Sequence, residues 1–256
     1  TEQISDGETS QIFLGEFNNT KSIFKLSKKN KFKLIINEYL KNEIIQKIVK
    51  KNISPKILFH DLHSGLIIYE YFEKDSSDKI FNNFYQLGKK LKELHEITSN
   101  KKIKTFEDQF NLYLNVSSSE LDNKYFNDAI DLFDELNVSK ENYVLSHNDL
   151  NSSNVMFKNN KIVFIDFEYL SINSKYSDLS KLIDSLNLKA LEKNKLLEGY
   201  GVDEINDSIN IKIKKWSLMN IYTELIWANY INEYKRNYFD KDYINLLKNK
   251  IKQQKQ

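Results

Sequence analysis

The sequence contains no cysteine, a single proline and only six glycines among 256 residues. Without cysteine it can form no disulfide framework, no thiol nucleophile and no cysteine-ligated zinc or iron–sulfur centre. Long hydrophobic runs are also missing, because the best candidates have the length of a strand and fall far short of the roughly 20 residues of a membrane helix. The N-terminal segment lacks the apolar stretch of a secretory signal. We therefore expect a globular, cytoplasmic protein with no membrane insertion.

The sequence also has no large excess of positive or negative charge. The 38 basic and 36 acidic residues give a net charge of +2, far from the balance of a nucleic-acid-binding protein, so we expect no nucleic-acid partner. Hydrophobic residues make up 40% and aromatic residues 13%, which favours a buried core over disorder. Arg236 is the sole arginine, and the many Lys and Asn residues are typical of an AT-rich genome. Lysine runs therefore indicate solvated surface, and the oligomeric state is not indicated.

The pattern along the chain predicts two unequal lobes. Residues 1–72 alternate in short β-rich runs around one helical stretch, and Asn18-Asn19-Thr20 predicts a hairpin turn. The polar segment 73–79 is predicted to be a linker or hinge. Residues 80–256 are mainly helical, with amphipathic helices near 84–94 and 121–136 and one hairpin over 155–165. The fold class is therefore α+β, with a small β-sheet lobe containing one helix and a larger, mainly helical lobe.

Three polar residues around the predicted hairpin have a spacing that suits metal-assisted chemistry. Asp149 lies in a polar loop, Asn154 follows five residues later at the first hairpin strand, and Asp166 ends the second strand. Because the hairpin folds the chain back, we expect Asn154 and Asp166 to lie side by side. A carboxylate and an amide oxygen, completed by phosphate oxygens and water, suit Mg²⁺. Asp149 is then free to orient a hydroxyl group and accept its proton.

The chain resembles the choline/ethanolamine kinases in the segments His147-Asn148-Asp149-Leu150, Asn154, Ile165–Tyr169, Asn173 and Tyr176–Leu179. Within this family it looks like the bacterial LicA-type choline kinases in particular, in the superfamily that contains the aminoglycoside phosphotransferases and the protein kinases. The resemblance is strong over residues 143–187, fair over 4–96 and weak after 200. It implies a bilobal protein-kinase-like fold, ATP as co-substrate, Mg²⁺ as cofactor and a small-molecule amino alcohol as acceptor.

The resemblance also implies nucleotide contacts in the first lobe, although no Walker motif is present. Lys25, on a predicted strand, resembles the lysine that contacts the phosphates, with Glu43, or less favourably Glu38, as its partner. Backbone groups near the end of the last strand would bond the adenine edge. The remaining predicted nucleotide contacts are the phosphate-covering residues Gly7, Thr9 and Ser10 and the hinge residues Glu70 and Phe72.

Helical spacing in the C-terminal region places several aromatic side chains on one stripe. An aromatic face with a carboxylate nearby can bind a quaternary ammonium by cation–π attraction, and we predict this role for Trp216, Trp227 and Tyr230. Choline kinases usually carry a second tryptophan three residues before the one at Trp227, where this sequence has Glu224. A glutamate suits a primary ammonium, so ethanolamine stays open beside choline. Glu168 is a further substrate-binding candidate, with a metal role left open.

Two alternatives remain from the sequence. An aminoglycoside or other antibiotic phosphotransferase would share the nucleotide site and would need a wide acidic cleft. The C-terminal region offers five acidic residues for one: Glu204, Asp207, Glu233, Asp240 and Asp242. A non-catalytic, nucleotide-binding pseudokinase is the other alternative. The choice between ATP and GTP is not indicated either.

Overall fold

A five-stranded antiparallel sheet forms from the first part of the chain in the computed structural model, with strand order β1-β2-β3-β5-β4. The structure describes residues 1–7, 10–28, 43–61, 63–73, 83–100, 102–116, 123–137, 143–158, 160–235 and 238–255. The strands and the helix that precedes β4 are β1 Glu2–Asp6, β2 Ser10–Phe17, β3 Thr20–Ser27, α1 Glu43–Lys50, β4 Ile57–Asp61 and β5 Leu66–Glu70.

The predicted hairpin between β2 and β3 is confirmed. Asn18 and Asn19 both have left-handed backbones, with φ of 49° and 59°, the conformation that a two-residue hairpin loop requires and that asparagine tolerates. Lys25 lies on β3 and pairs with Ile12 on one side and Ile67 on the other. It therefore projects from the middle of the sheet. Strand β1 was not predicted, because its five residues are polar or exposed throughout.

The rest of the chain is mainly helical, as predicted. Its helices are α2 Phe84–His95, α3 Phe106–Val116, α4 Asn123–Asn137, α5 Lys175–Ser185, α6 Ala190–Tyr200, α7 Asp207–Tyr234 and α8 Lys241–Gln254. Two small sheets lie among them: β6 Tyr143–Ser146 with β9 Ser171–Ser174, and β7 Val155–Lys158 with β8 Lys161–Phe164. The β7–β8 pair is the predicted hairpin, whereas β6–β9 joins segments too far apart in sequence to be paired by local pattern.

The long helix α7 lies at the centre of the helical part. Trp216, Tyr222 and Tyr230 on this helix are buried, and α7 packs against α3, α4, α5 and α8. None of the helices in the described ranges is long and apolar enough to cross a membrane. The predicted linker, except for Glu73, lies outside the described residues. The α+β architecture is confirmed, with the five-stranded sheet followed by the larger helical part.

Helices α2 and α6 pack closely enough for their backbones to touch. A Cβ atom at Gly88 would lie 2.1 Å from the carbonyl oxygen of Leu196, and one at Gly199 would lie 2.0 Å from that of Tyr85. Both distances are far below van der Waals contact, so glycine is required at each position. The contact joins the N-terminal half of α2 to the C-terminal end of α6, and the two helices are also linked through His95 and the Tyr200 hydroxyl, 2.8 Å apart.

Candidate active site

The loop between β6 and β7 holds Asp149 and Asn154 in direct contact. Asn154 Nδ2 donates to the backbone carbonyl of Asp149 at 2.8 Å and to its carboxylate Oδ2 at 3.0 Å. Asn151 Nδ2 donates to the other carboxylate oxygen at 3.2 Å. Because the amide nitrogen of Asn154 faces Asp149, its amide oxygen points away from that carboxylate. Burial raises the pKa of Asp149, and the nearby ammonium of Lys181 opposes the rise.

Asp166 lies beside this loop, as the spacing predicts. The backbone N–H of Ile165 donates to the backbone carbonyl of Asn154 at 3.0 Å, which joins the two ends of the β7–β8 hairpin. Asp166 itself has a left-handed backbone with φ of 67°, a conformation that is uncommon for aspartate and clusters at active sites. The short 3₁₀ helix Phe167–Tyr169 follows and carries Glu168 to the same edge.

Lys25 reaches this edge from the five-stranded sheet. Its Nζ lies 2.5 Å from Asp166 Oδ1 and 3.2 Å from Glu168 Oε2. Burial alone would lower the pKa of Lys25, but the two carboxylates outweigh burial and raise it. Lys25 is therefore a fixed cation that joins the sheet to the helical part of the chain.

The predicted partner of Lys25 is wrong. Glu43 is the first residue of α1 and forms an ion pair with Lys47, one turn along the same helix. A pair at this spacing forms locally and directs Glu43 along its own helix, whereas Lys25 is directed at Asp166 and Glu168. The alternative, Glu38, lies outside the described residues.

Asp178, on α5, anchors the loop that carries Asp149, a role that the sequence did not suggest. Its carboxylate is fully buried and accepts the backbone N–H of His147 at 2.7 Å and that of Asn148 at 2.8 Å. It also lies 3.0 Å from His95 Nε2. Burial by itself would raise the pKa of Asp178, but the bonds to His95 and His147 outweigh burial and hold that pKa below its usual value. The two residues before Asp149 are thereby fixed to α5.

Two histidines, His95 and His147, serve this anchor as hydrogen-bonding residues. His95 Nδ1 lies 2.8 Å from the Tyr200 hydroxyl, so a neutral His95 accepts from Tyr200 and donates to Asp178. His147 Nε2 lies 2.9 Å from the backbone carbonyl of Ile165, which joins the loop to the strand end before Asp166. Neither histidine contacts the carboxylate of Asp149 in these bonds.

One cavity of about 890 Å³ runs from the edge of the sheet to the helical wall. Asp149, Asp166 and Glu168 line its middle. Gly7 and Ser10 line the sheet end, as predicted for nucleotide contacts, and the Gly7 N–H donates to the Ser10 carbonyl at 2.9 Å. Thr9 lies outside the described residues.

The predicted hinge residues Glu70 and Phe72 are not among the residues that line this cavity. Glu70 ends β5, and its backbone N–H donates to the carbonyl of Lys56 at 2.8 Å. A nucleotide contact by Glu70 would therefore have to use its carbonyl oxygen. Phe72 lies two residues beyond the end of β5, outside the sheet.

The helical end of the cavity contains only part of the predicted aromatic stripe. Trp227 lines the cavity and packs against Tyr169 and Phe239, with ring centroids 6.5 and 5.1 Å away. The prediction is wrong for Trp216 and Tyr230, which are buried in the core against Phe106 and Tyr113. Trp216 lies 11 residues before Trp227, about 16 Å back along the helix axis, and Tyr230 is fully buried where α7 packs against Tyr113 of α3.

Glu224 also lines the cavity, one turn before Trp227, and has two partners. The Tyr243 hydroxyl donates to its Oε1 at 2.6 Å, and Lys181 Nζ lies 3.4 Å from its Oε2. Burial alone would raise the pKa of Glu224, but Lys181 and Tyr243 outweigh burial and lower it. The carboxylate is therefore held as an anion within a polar cluster of α5, α7 and α8.

Asp166, which lines the cavity, and Asn154, which is not among its lining residues, fit Mg²⁺ in one specific sense. No group of three or more His, Asp or Glu side chains in the described ranges has the arrangement of a self-contained metal site. Magnesium ordinarily takes one or two protein ligands and completes its shell with phosphate oxygens and water. The outward amide oxygen of Asn154 and the neighbouring carboxylate of Asp166 match that pattern. A bound nucleotide would have to supply the rest of the shell.

Comparison with known proteins agrees with this geometry. The family model described as choline/ethanolamine kinase matches residues 1–185. A "Protein LicA homolog" of Mycoplasma capricolum is 26% identical over 201 residues, which is 75% of this chain and 79% of that protein. The crystal structure of choline kinase LicA from Streptococcus pneumoniae superposes with a TM-score of 0.77 at 20% identity, covering 98% of this chain and 91% of that one.

The fold extends to antibiotic phosphotransferases. The GDP complex of wild-type aminoglycoside 2'-phosphotransferase superposes with a TM-score of 0.66 at 13% identity, covering 99% of this chain and 91% of that one. At such identities the structural likeness establishes the fold alone, whereas the family model spans well over half of the sequence. The chain belongs to the choline/ethanolamine kinase family and is a phosphotransferase that acts on an alcohol group.

Proposed function

We propose that this protein transfers the γ-phosphoryl group of ATP, with Mg²⁺, to the hydroxyl group of choline. The observation that carries the proposal is a single cavity lined both by Asp149 and Asp166 and by the indole of Trp227. One end of that cavity has the groups for phosphoryl transfer, and the other has an aromatic face for a cationic acceptor. The consumption of ATP favours the cytoplasm as the place of the reaction.

Asp149 would orient the acceptor. Its carboxylate would accept the hydroxyl proton while the hydroxyl oxygen forms a bond to the γ-phosphorus and the bond to the β-phosphate oxygen breaks. Asn154 and Asn151 hold the carboxylate through the bonds at 3.0 and 3.2 Å, so its direction is set before the substrate binds. Catalysis of this kind depends mainly on positioning and charge neutralisation.

The nucleotide would bind at the sheet end. Lys25 would contact the phosphates, and the backbone around Gly7 and Ser10 would cover them. Asn154 and Asp166 would hold Mg²⁺, which neutralises charge on the transferred phosphoryl group when bound. In this proposal residues 1–72 form the nucleotide-binding lobe, 73–79 the hinge, and 80–256 the lobe with the catalytic loop and acceptor site.

The acceptor cation would lie on Trp227. A quaternary ammonium has no N–H groups and is bound best by an aromatic face, through cation–π attraction of about 0.5–2 kcal/mol. Tyr169 and Phe239 pack against Trp227 and fix the orientation of its ring. The indole nitrogen is buried with no hydrogen-bond partner among the described residues, so the ring itself is the functional part.

The antibiotic alternative has less support from the cavity. None of the five acidic residues proposed for an acidic cleft, from Glu204 to Asp242, is among the residues that line it. The carboxylates that do line its helical end are Asp184 and Glu224, and each is already engaged, by the hydroxyls of Ser217 and Tyr243 respectively. A polycationic drug would find few unengaged anions there.

Release of ADP, measured in a coupled assay with Mg-ATP and choline, ethanolamine or kanamycin in separate wells, tests the proposal. We expect a choline-dependent rate that Asp149→Asn abolishes. Asp131→Asn, on the exposed side of α4, is the matched control and should keep the wild-type rate. A rate with kanamycin alone would replace the choline assignment with the antibiotic one, and a choline rate that survives Asp149→Asn would contradict the role of Asp149.

Two substitutions at Trp227 test the aromatic wall. Trp227→Phe loses the five-membered ring of the indole, whose N–H makes no bond, but keeps an aromatic face, so we expect KM for choline within about threefold of wild type. Trp227→Leu keeps apolar bulk without a π face, and we expect KM to rise about tenfold, the upper part of the range for cation–π attraction. Equal KM values for the two variants would refute a cation–π role.

A further inference from the structure

The pairing of Glu224 with Lys181 bears on which acceptor the cavity selects. Lys181 projects from α5 and Glu224 from α7, and both line the helical end of the cavity together with Tyr243 of α8. Tyr243 donates to one carboxylate oxygen at 2.6 Å, and the Lys181 ammonium lies 3.4 Å from the other. Both oxygens of Glu224 therefore already face a donor of the protein itself.

This arrangement treats primary and quaternary ammonium groups differently. A primary ammonium carries three N–H donors and loses water on entering the cavity, so it binds well only if acceptor atoms replace that water. A quaternary ammonium carries no N–H donors and can bind on a π face without hydrogen-bond acceptors. Glu224 is the carboxylate one turn from Trp227. The ammonium of Lys181 lies beside it, in the place that the ammonium group of a substrate would otherwise take.

We propose that Lys181 determines acceptor specificity: as an internal counter-cation it withholds Glu224 from substrate N–H groups and so favours a fully methylated ammonium over a primary one. The inference rests on the proposed choline kinase function and deepens it. A glutamate at this position would otherwise suit ethanolamine. With Lys181 beside it, the glutamate forms an ion pair that carries no net charge and offers no free acceptor next to Trp227.

The ratio of kcat/KM for ethanolamine to kcat/KM for choline isolates this effect. Lys181 also lies close enough to influence Asp149, so its removal can change turnover with both acceptors. A change in phosphoryl transfer that affects both acceptors equally cancels in the ratio. A change in the recognition of the ammonium group does not cancel. The experiment therefore measures the ratio in wild type, in single variants and in a double variant.

Lys181→Met removes the charge and keeps the chain length. We expect the ethanolamine-to-choline ratio to rise about tenfold, the gain from one charge-assisted hydrogen bond of roughly 1.4 kcal/mol between Glu224 and the substrate. Lys181→Arg keeps the cation and should keep the wild-type ratio. Adding Glu224→Gln to Lys181→Met should remove most of the gain. Lys195→Met, at an exposed position of α6, is the matched control.

An unchanged ratio in Lys181→Met, with choline activity present in wild type, would overturn this inference and leave the proposed function standing. A raised ratio that persists after Glu224→Gln would overturn it too, because the effect would not pass through Glu224. If Lys181→Met does not fold, Lys181→Gln replaces it with the same expectation. Wild type inactive with both amino alcohols but active with another acceptor would refute the proposed function and this inference together.

Discussion

Replacing Asp178 with asparagine should loosen the loop that carries Asp149, and the expected loss of stability follows from the three contacts of the Asp178 carboxylate. Its carboxylate accepts two backbone N–H groups, of His147 and Asn148, and faces His95. Asparagine offers one oxygen and one NH₂ group, so at least one backbone N–H loses its acceptor. The lost charged hydrogen bond and the unpaired buried donor together cost about 3–5 kcal/mol, a large share of the stability of an ordinary domain.

The effect on activity should be separate from the effect on stability. Asp149 directly follows the two anchored residues, and a displacement of its carboxylate by about 1 Å is expected to lower kcat about 100-fold. Urea unfolding followed by tyrosine and tryptophan fluorescence measures the first effect, and the coupled assay below the unfolding transition measures the second. Asp131→Asn is again the matched control. A loss of stability below about 1 kcal/mol, the range of surface substitutions, with kcat within threefold of wild type would refute the anchoring argument.

The same residue predicts an acid-sensitive component of stability. The pKa of Asp178 in the folded protein lies below its usual value of 3.8, because its hydrogen bonds outweigh burial. The stability from this ionised contact is therefore fully present above about pH 4 and is lost as the pH falls through the lower, folded value. We expect the unfolding free energy of wild type to fall below pH 4 more steeply than that of Asp178→Asn. Parallel curves for the two proteins would contradict this.

Three further predictions concern other parts of the structure. Gly88→Ala should lower the unfolding free energy by about 2–3 kcal/mol, as in other overpacked contacts, because its Cβ would overlap the Leu196 carbonyl; a gain in urea stability would contradict the close packing. Burial raises the pKa of Asp184 above its usual value of 3.8, so Asp184→Asn, which keeps an acceptor for Ser217, should raise Tm at pH 8 and change it little well below pH 3.8, where the carboxyl is protonated in both states. Lys25→Met should raise KM for ATP at least about tenfold, the loss of one charged contact, and an unchanged KM would remove Lys25 from the nucleotide site.

The contacts that the sequence predicted are those set by local chain geometry. The spacing of Asp149, Asn154 and Asp166 predicts their meeting because a short hairpin between them has few ways to fold back. Lys25 was singled out for a different reason, because it resembles the phosphate-contacting strand lysine of the kinases. Its partner was not, because the pairing depends on where α1 ends up in space.

The role of Asp178 required tertiary information. The carboxylate bonds to backbone groups 30 and 31 residues earlier, and backbone N–H groups leave no trace in the sequence. The aromatic stripe fails for a different reason. Helix α7 is 28 residues long and buried on several sides. The 3.6-residue period therefore shows which residues share a face, but not which neighbouring element packs against each part of that face.

The anchor of the catalytic loop and the link from Lys25 belong to different parts of the molecule. Asp178 fixes the loop to helices of the C-terminal part, whereas Lys25 contacts Asp166 from the sheet. Any rotation of the sheet against the helices would therefore change the separation of Lys25 from Asp166 while the geometry of Asp149 and Asn154 stays constant. In the proposed reaction, the proton acceptor would therefore keep its position on the helical part, whereas the phosphate-contacting lysine would move with the sheet.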